Sequence, residues 1–141
     1  MPQCPITSGW RPAQLKILID EITSAHNVDI SRLYCTGISM GGYGTWRLAC
    51  SFPDLFAAIL PICGGGDSSK VDKIKHLPIW NFHGEDDDIV PLTESEVMVN
   101  ALIKIGSNVK HTVYPSVKHD SWTITYDNPE IYKWLLQHIK K

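Results

Sequence analysis

The stretch "GISMGG" (residues 37–42) decides how the chain is read. It follows "RLYC", an apolar run of strand type, and precedes "YGTWRLACSF", which reads as a helix. Gly37-Ile38-Ser39-Met40-Gly41 therefore sets a serine between glycines where a strand becomes a helix, the pattern G-x-S-x-G. Such a turn forces its central residue into strained backbone geometry, and small neighbours let the chain pass close by. The serine oxygen is lifted beside a helix N-terminus, whose amides favour negative charge. The motif alone is weak, since a chain of this length meets it by chance on the order of one time in twenty. The competing explanation is a glycine turn with an idle serine, and the strand–turn–helix setting tells against it.

On the N-terminal side, Pro12 opens a helix in which Leu15, Leu18, Ile19 and Ile22 form one apolar face, ending near Asn27. "SRLYCTG" is a predicted strand. The helix after Ser39 stops before Pro53, and "FAAILPICGGG" is a buried strand running into a glycine loop. Residues 67–77 show no pattern, and "LPIWNFHG" is a further strand. Thr93 and Glu96 spell a capping box, Met98, Ala101, Leu102 and Ile105 follow on one helix face, and Gly106 closes it. "VKHTVYP" is the last strand. Asn128 and Pro129 start the final helix, with Ile131, Trp134, Leu135 and His138 on one face and Lys140 and Lys141 complementing its C-terminal dipole. Alternation of this kind predicts an α/β fold: a short, mainly parallel sheet with helices on both faces. The 141 residues suit one domain spanning 1–141.

The bulk numbers narrow the function. The net charge is −2 and no Lys/Arg block occurs, which argues against a nucleic-acid partner. No apolar run reaches membrane-spanning length. "MPQCPITSGW" has neither a charged nor an apolar leader region, so no secretory signal is expected, and the composition fixes no compartment. Cys4, Cys35, Cys50 and Cys63 match no zinc or CxxC spacing. Cys35 and Cys50 are expected to be buried thiols. Cys4 and Cys63 each adjoin a proline-containing turn and could pair, although free thiols are the expectation.

A nucleophilic serine needs a base and an orienting carboxylate. After the strand "LPIWNF" comes "HGEDDDIVP", with Asp86, Asp87 and Asp88; after "VKHTVYP" comes "SVKHDSW", with His119. In a parallel sheet these loops share one edge with Ser39, so the groups can converge. Among the other histidines, His26, His76 and His138 sit on or beside helices, and His111 lies within a strand. His83 ends a strand, where a loop-bracing hydrogen bond is its plainer role. The aspartate run could be a solvated loop or a cation site, but a metal needs further converging ligands and none is evident, so no metal is expected. Of the nearby aromatics, Trp46 reads as core, while Tyr43 and Trp122 are candidates to line a substrate pocket.

"GISMGGYGTW", "PICGGGD", "FHGEDDDIVP" and "KHDSWTITY" resemble the α/β-hydrolase superfamily over nearly the whole chain. The resemblance is nearest to the esterase/phospholipase group related to polyhydroxybutyrate depolymerases, feruloyl esterases and the prolyl-oligopeptidase catalytic domain. It implies Ser39 as nucleophile, His119 as base and the Met40 backbone N–H as one oxyanion donor. Within H-G-x-x-D-x-x-V-P, where His83, Gly84, Val90 and Pro91 match, it implies Asp87 as the acid. No cofactor is implied, and the short connections leave no room for a large lid, which points to small, accessible carboxylic esters. Family members carry further strands before the counterpart of "PQCP", including the loop that supplies a second oxyanion N–H. The chain thus resembles the C-terminal portion of a hydrolase, a truncated α/β-hydrolase fold. Strand 32–37 would then be an exposed edge, which predicts a homodimer or higher oligomer. The second donor would come from the amide of Gln3 or Cys4 or from a partner copy. Two other classes fit the same residues: a catalytically silent fragment that assembles or binds, and a peptidase of the prolyl-oligopeptidase type.

Overall fold

A computed structural model describes residues 2–4 and 9–140 of the chain. Its strands are β1 (Tyr34–Ile38), β2 (Ala58–Ile62), β3 (Trp80–Gly84) and β4 (Lys110–Tyr114). They pair in the order β1-β2-β3-β4, every pair parallel. The helices are α1 (Pro12–Ala25), α2 (Met40–Ser51), α3 (Thr93–Lys104), α4 (Ser121–Tyr126) and α5 (Pro129–Gln137). Strand alternation sorts the apolar side chains into two cores. Ile59 and Ile79 pack with Trp46, Leu48, Phe56, Met98 and Leu102 under α2 and α3. Leu60, Ile62 and Phe82 face the opposite side, against Ile131, Trp122, Tyr126 and Leu135 of α4 and α5. The result is the expected short parallel sheet with helices on both faces, the arrangement of an α/β-hydrolase.

Several boundaries follow the sequence signals. Gly106 closes α3 at φ 77°, with Ser107 N–H bonded to Leu102 O and Gly106 N–H to Ile103 O, the paired bonds that end a helix on a left-handed glycine. Asn128 caps α5 by accepting from Glu130 N–H at 3.0 Å.

Other expectations are corrected. The Thr93/Glu96 capping box does not form, because the helical turn starts earlier: the N–H of Glu96 goes to Leu92 O, leaving Thr93 nothing to cap. On α1 only Leu15 and Ile19 reach the core, whereas Leu18 and Ile22 are 37% and 47% exposed. Residues 30–32 form a 3-10 turn, so the first strand is shorter than expected. Residues 68–74, read as unpatterned, form another, capped by the Asp67 carboxylate on Ser69 N–H. The helix α4 has no counterpart in the sequence reading. Cys63 carries a thiol and takes no part in a disulfide.

Candidate active site

The C-terminal ends of the four parallel strands converge, and each delivers one chemically capable side chain. Ser39 follows β1, Cys63 follows β2, Asp87 lies just past β3, and His119 lies just past β4. Ligand sites in open α/β sheets form on this edge.

Ser39 stands at φ 52°, ψ −116°, in the left-handed region where a serine is strained. Two glycines make the turn possible. A Cβ on Gly37 would sit 2.3 Å from Gly41 O, and one on Gly42 would sit 2.4 Å from Ile62 O. Gly41 itself has open space around its Cβ position, so the closest backbone approach belongs to the glycine beyond the motif. The N–H of Ser39 is shared between Ile62 O at 3.0 Å and Cys63 Sγ at 3.2 Å. The Ser39 side chain therefore stands free of its own backbone, and its Oγ lies 3.0 Å from His119 Nε2.

The other imidazole nitrogen, Nδ1, lies 2.8 Å from Asp87 Oδ2 and 3.0 Å from Oδ1. A carboxylate only accepts, so Nδ1 carries the proton and Nε2 presents its lone pair to the serine hydroxyl. Asp87 also accepts from Ile89 N–H at 3.0 Å and Val90 N–H at 2.9 Å. Burial alone would push this carboxyl up, but hydrogen bonds from His119, Val90 and Ile89 outweigh it and hold the group below its ordinary value. Its neighbours are elsewhere: Asp88 pairs with Lys118 Nζ at 2.9 Å, and Asp86 is exposed.

His83 is the loop brace that its strand-end position suggests. Fully buried, it holds Ser95 Oγ at 2.8 Å through Nδ1 and Val90 O at 2.9 Å through Nε2. The same Nε2 is 3.2 Å from Asp87 Oδ2, a contact the sequence reading missed, so two imidazoles flank one carboxylate. Gly84 lets the two loops meet, since a Cβ there would fall 2.3 Å from the carbonyls of Val117 and Lys118. Asp86 N–H bonds Val117 O across that contact.

Trp122, half-buried on α4, stands edge-on to the His119 ring at 5.3 Å. Asp120 positions that helix by capping Thr123 N–H at 3.2 Å. Tyr43, on α2, donates its hydroxyl to Glu94 Oε2 at 3.0 Å, and burial together with that carboxylate pushes the phenol up to about 12. Trp46 is fully buried core. Cys63, unnoticed as a site residue in the sequence, is buried against Ser39, and burial pushes its thiol up to about 11. Its sulfur, an Asp87 oxygen and a His119 nitrogen lie within 4.8 Å of one another, the one group of metal-capable side chains among the described residues. Ligands drawn from three separate strand ends show no short-range spacing, which is why the sequence displays no metal pattern. Clefts of about 480 and 210 Å³ open at the opposite end of the sheet, around Trp134 and Lys110, away from this chemistry.

Known proteins share these features. The profile of the phospholipase/carboxylesterase family matches residues 12–128. A thermostable esterase of known structure superposes with a TM-score of 0.93 at 42% identity, over 98% of this chain and 43% of that one. Poly(3-hydroxyalkanoate) depolymerase C of Paucimonas lemoignei is 41% identical over 61 residues, 43% of this chain and 15% of its own length. Poly(3-hydroxyoctanoate) depolymerase of Pseudomonas fluorescens is 31% identical over 112 residues, 70% of this chain and 39% of that protein. The chain thus spans less than half the length of these relatives. With the family profile covering most of the sequence, from the start of α1 to the cap of α5, the chain belongs to the phospholipase/carboxylesterase family.

Proposed function

We propose that the chain hydrolyses carboxylic esters through an acyl-serine intermediate. The observation that carries this reading is the hydrogen-bonded series Ser39 Oγ–His119 Nε2 and His119 Nδ1–Asp87 Oδ2, at 3.0 and 2.8 Å. Ser39 attacks the acyl carbon while His119 takes the hydroxyl proton, then passes it to the leaving alcohol. Asp87 holds the imidazole in the required tautomer and stabilises its cationic form. Water, activated by His119, releases the acyl group. The N–H of Met40, at the first position of α2, has no acceptor one turn back in its helix and supplies one oxyanion donor.

Trp122 and Tyr43 are the proposed pocket walls. Trp122 is already seated against the base, and Tyr43 is tethered to Glu94 at the start of α3. The names of the two depolymerase relatives make 3-hydroxyacyl esters the first polymer-derived substrates to try. Among the described residues no strand pairs with the outer edge of β1, and Ile38 on that strand is exposed. That surface supports a homodimer or higher oligomer. Light scattering at micromolar concentration checks it, and a monodisperse monomer would count against it.

Hydrolysis of p-nitrophenyl acetate and butyrate by the wild-type chain and by Ser39→Ala tests the central claim. Turnover that vanishes in the variant is expected. Equal rates would return the elbow to an inherited scaffold and the chain to an assembly role. Cleavage of matched anilides would instead favour a peptidase.

A further inference from the structure

Three of the four strand ends supply the proposed reaction, and the fourth supplies a thiol that the reaction does not use. Cys63 is fully buried and stands at φ 41°, a conformation that costs a non-glycine residue on the order of 1 kcal/mol or more. The strained turn aims its sulfur at the site: Sγ accepts from Ser39 N–H at 3.2 Å, and with Asp87 and His119 it completes a group of ligand atoms within 4.8 Å of one another. Ser121 is also fully buried, and its hydroxyl has no hydrogen-bond partner among the described residues. One sulfur, one imidazole nitrogen and one carboxylate oxygen form a donor set of the kind that holds zinc. Metal–ligand distances of about 2.0–2.3 Å put such donors roughly 3.3–3.8 Å apart, so closing on an ion asks a movement of about 1 Å at the widest pair. Solvent reaches the group past His119 and Ser39, both half-buried.

We propose that Cys63, Asp87 and His119 form a binding site for a thiophilic divalent cation, Zn²⁺ above all, and that its occupancy switches the esterase off. The inhibitory consequence rests on the esterase reading of Ser39 and His119. The cation takes the thiolate of Cys63, releasing one proton to solvent, and accepts one lone pair each from the imidazole and the carboxylate; nothing is oxidised or reduced. Either ring nitrogen serves to inhibit. Bound through Nε2, His119 has no lone pair left for the serine proton. Bound through Nδ1, whose proton moves to Nε2, it loses both the hydrogen bond to Asp87 and the lone pair that would take the serine proton. A hard cation such as Mg²⁺ prefers oxygen ligands and water, and has little use for a site with a sulfur donor.

Titration of the chain with Cd²⁺ tests the site without reference to activity, because a cadmium–thiolate bond absorbs in the near ultraviolet. One equivalent of Cd²⁺ should produce that band in the wild type. In Cys63→Ala the band should be lost and the cadmium affinity reduced at least about tenfold. Zn²⁺ should inhibit ester hydrolysis reversibly, with release by EDTA, and Mg²⁺ should not. For Cys63→Ala, measured against its own uninhibited rate, the zinc inhibition constant should rise by a similar factor. Should Cys63→Ala fail to fold, His119→Gln leaves the thiol in place and should weaken Cd²⁺ binding by about the same factor. No band in the wild type, or an affinity unchanged in the variants, overturns the proposal. Ester turnover without the band overturns the cation site alone. The band without any ester turnover supports the site and overturns the esterase reading instead.

Discussion

The two ends of the Ser39–His119–Asp87 series are held by opposite means. At Ser39, the proposed nucleophile, the backbone is strained and the side chain has one polar contact among the described residues, the imidazole. At Asp87, the proposed acid, φ is not positive and the side chain takes hydrogen bonds from Ile89, Val90 and His119 and a close contact from His83. The difference suits the roles proposed for the two groups. A nucleophile has to leave its position and form a bond, so it is placed by steric force on the chain behind it. An orienting carboxylate must hold its direction through the reaction, so it is tied by several donors at once. Damage at the acid end should therefore read out first in catalysis, and damage at the nucleophile's turn first in folding.

The largest effect is expected from Asp87→Asn. The amide preserves the shape but can present its NH₂ to Nδ1, reversing the tautomer and taking the lone pair from Nε2. The value of kcat for a p-nitrophenyl ester should fall by about 10⁴. The same carboxylate leaves a mark on stability. Its folded-state pKa lies below the ordinary carboxylate value, so its stabilisation is complete above the unfolded-state value and lost as pH falls through the folded one. Urea midpoints measured downward from neutral pH should drop through the acid range in the wild type and drop less in Asp87→Asn. Parallel curves would show that the carboxylate is not stabilised by the fold.

At the nucleophile's turn the corresponding break is Gly42→Ala. Its new methyl would meet Ile62 O at 2.4 Å and the backbone of Gly64 at 3.2 Å, and neither is a side chain that can swing aside. A loss of about 1–3 kcal/mol is expected, seen as a lower urea midpoint at unchanged slope. If stability held while activity fell, the turn would be placing the serine without bearing on the fold.

How much of this was legible in the sequence depended on how local each cause was. The strand–glycine–serine–helix run and the two later loops are contiguous signals, and Ser39, His119 and the trio Asp86, Asp87 and Asp88 stand out in them as candidates. The choice of Asp87 within "EDDD" needed the resemblance. The structure gives the physical reason, since Asp88 is drawn off by Lys118 and Asp86 points to solvent. The helix α4 was invisible because six residues, "SWTITY", carry little helix propensity of their own and depend on the Asp120 cap and on burial of Ser121 and Thr125. Leu18 and Ile22 share the apolar face of α1 in the sequence yet are exposed, because periodicity reports a face without saying how wide a face the neighbours cover. Cys63 was missed for a third reason: its place beside Ser39 exists only once β1 and β2 are paired.

His83 sharpens the same comparison with a smaller effect. His83→Ala leaves Val90 O and Ser95 Oγ without their imidazole partner and frees the loop that carries Asp87. Stability should fall by about 1–3 kcal/mol, and kcat by roughly ten- to a hundredfold as the base drifts from its orienting partner. His83→Gln, which can still donate toward Val90 O, should recover part of both. A variant that lost stability but kept full kcat would confine His83 to bracing and remove it from the positioning of Asp87.

The smallest expected effect separates the two adjacent glycines of the turn. Gly41 belongs to the G-x-S-x-G motif, yet a Cβ there meets nothing within 4 Å, and its φ is outside the left-handed region. Gly42 lies outside the motif and cannot accept a methyl. If steric approach fixes the nucleophile, Gly41→Ala should stabilise the chain by about 0.4–1 kcal/mol by restricting the unfolded state, seen as a small rise in Tm. Gly42→Ala one residue later should do the reverse. A Gly41→Ala variant as damaged as Gly42→Ala would mean that the motif glycine is needed for something other than room beside its own Cβ. The neighbouring Met40 N–H, the proposed oxyanion donor, would then be the place to look.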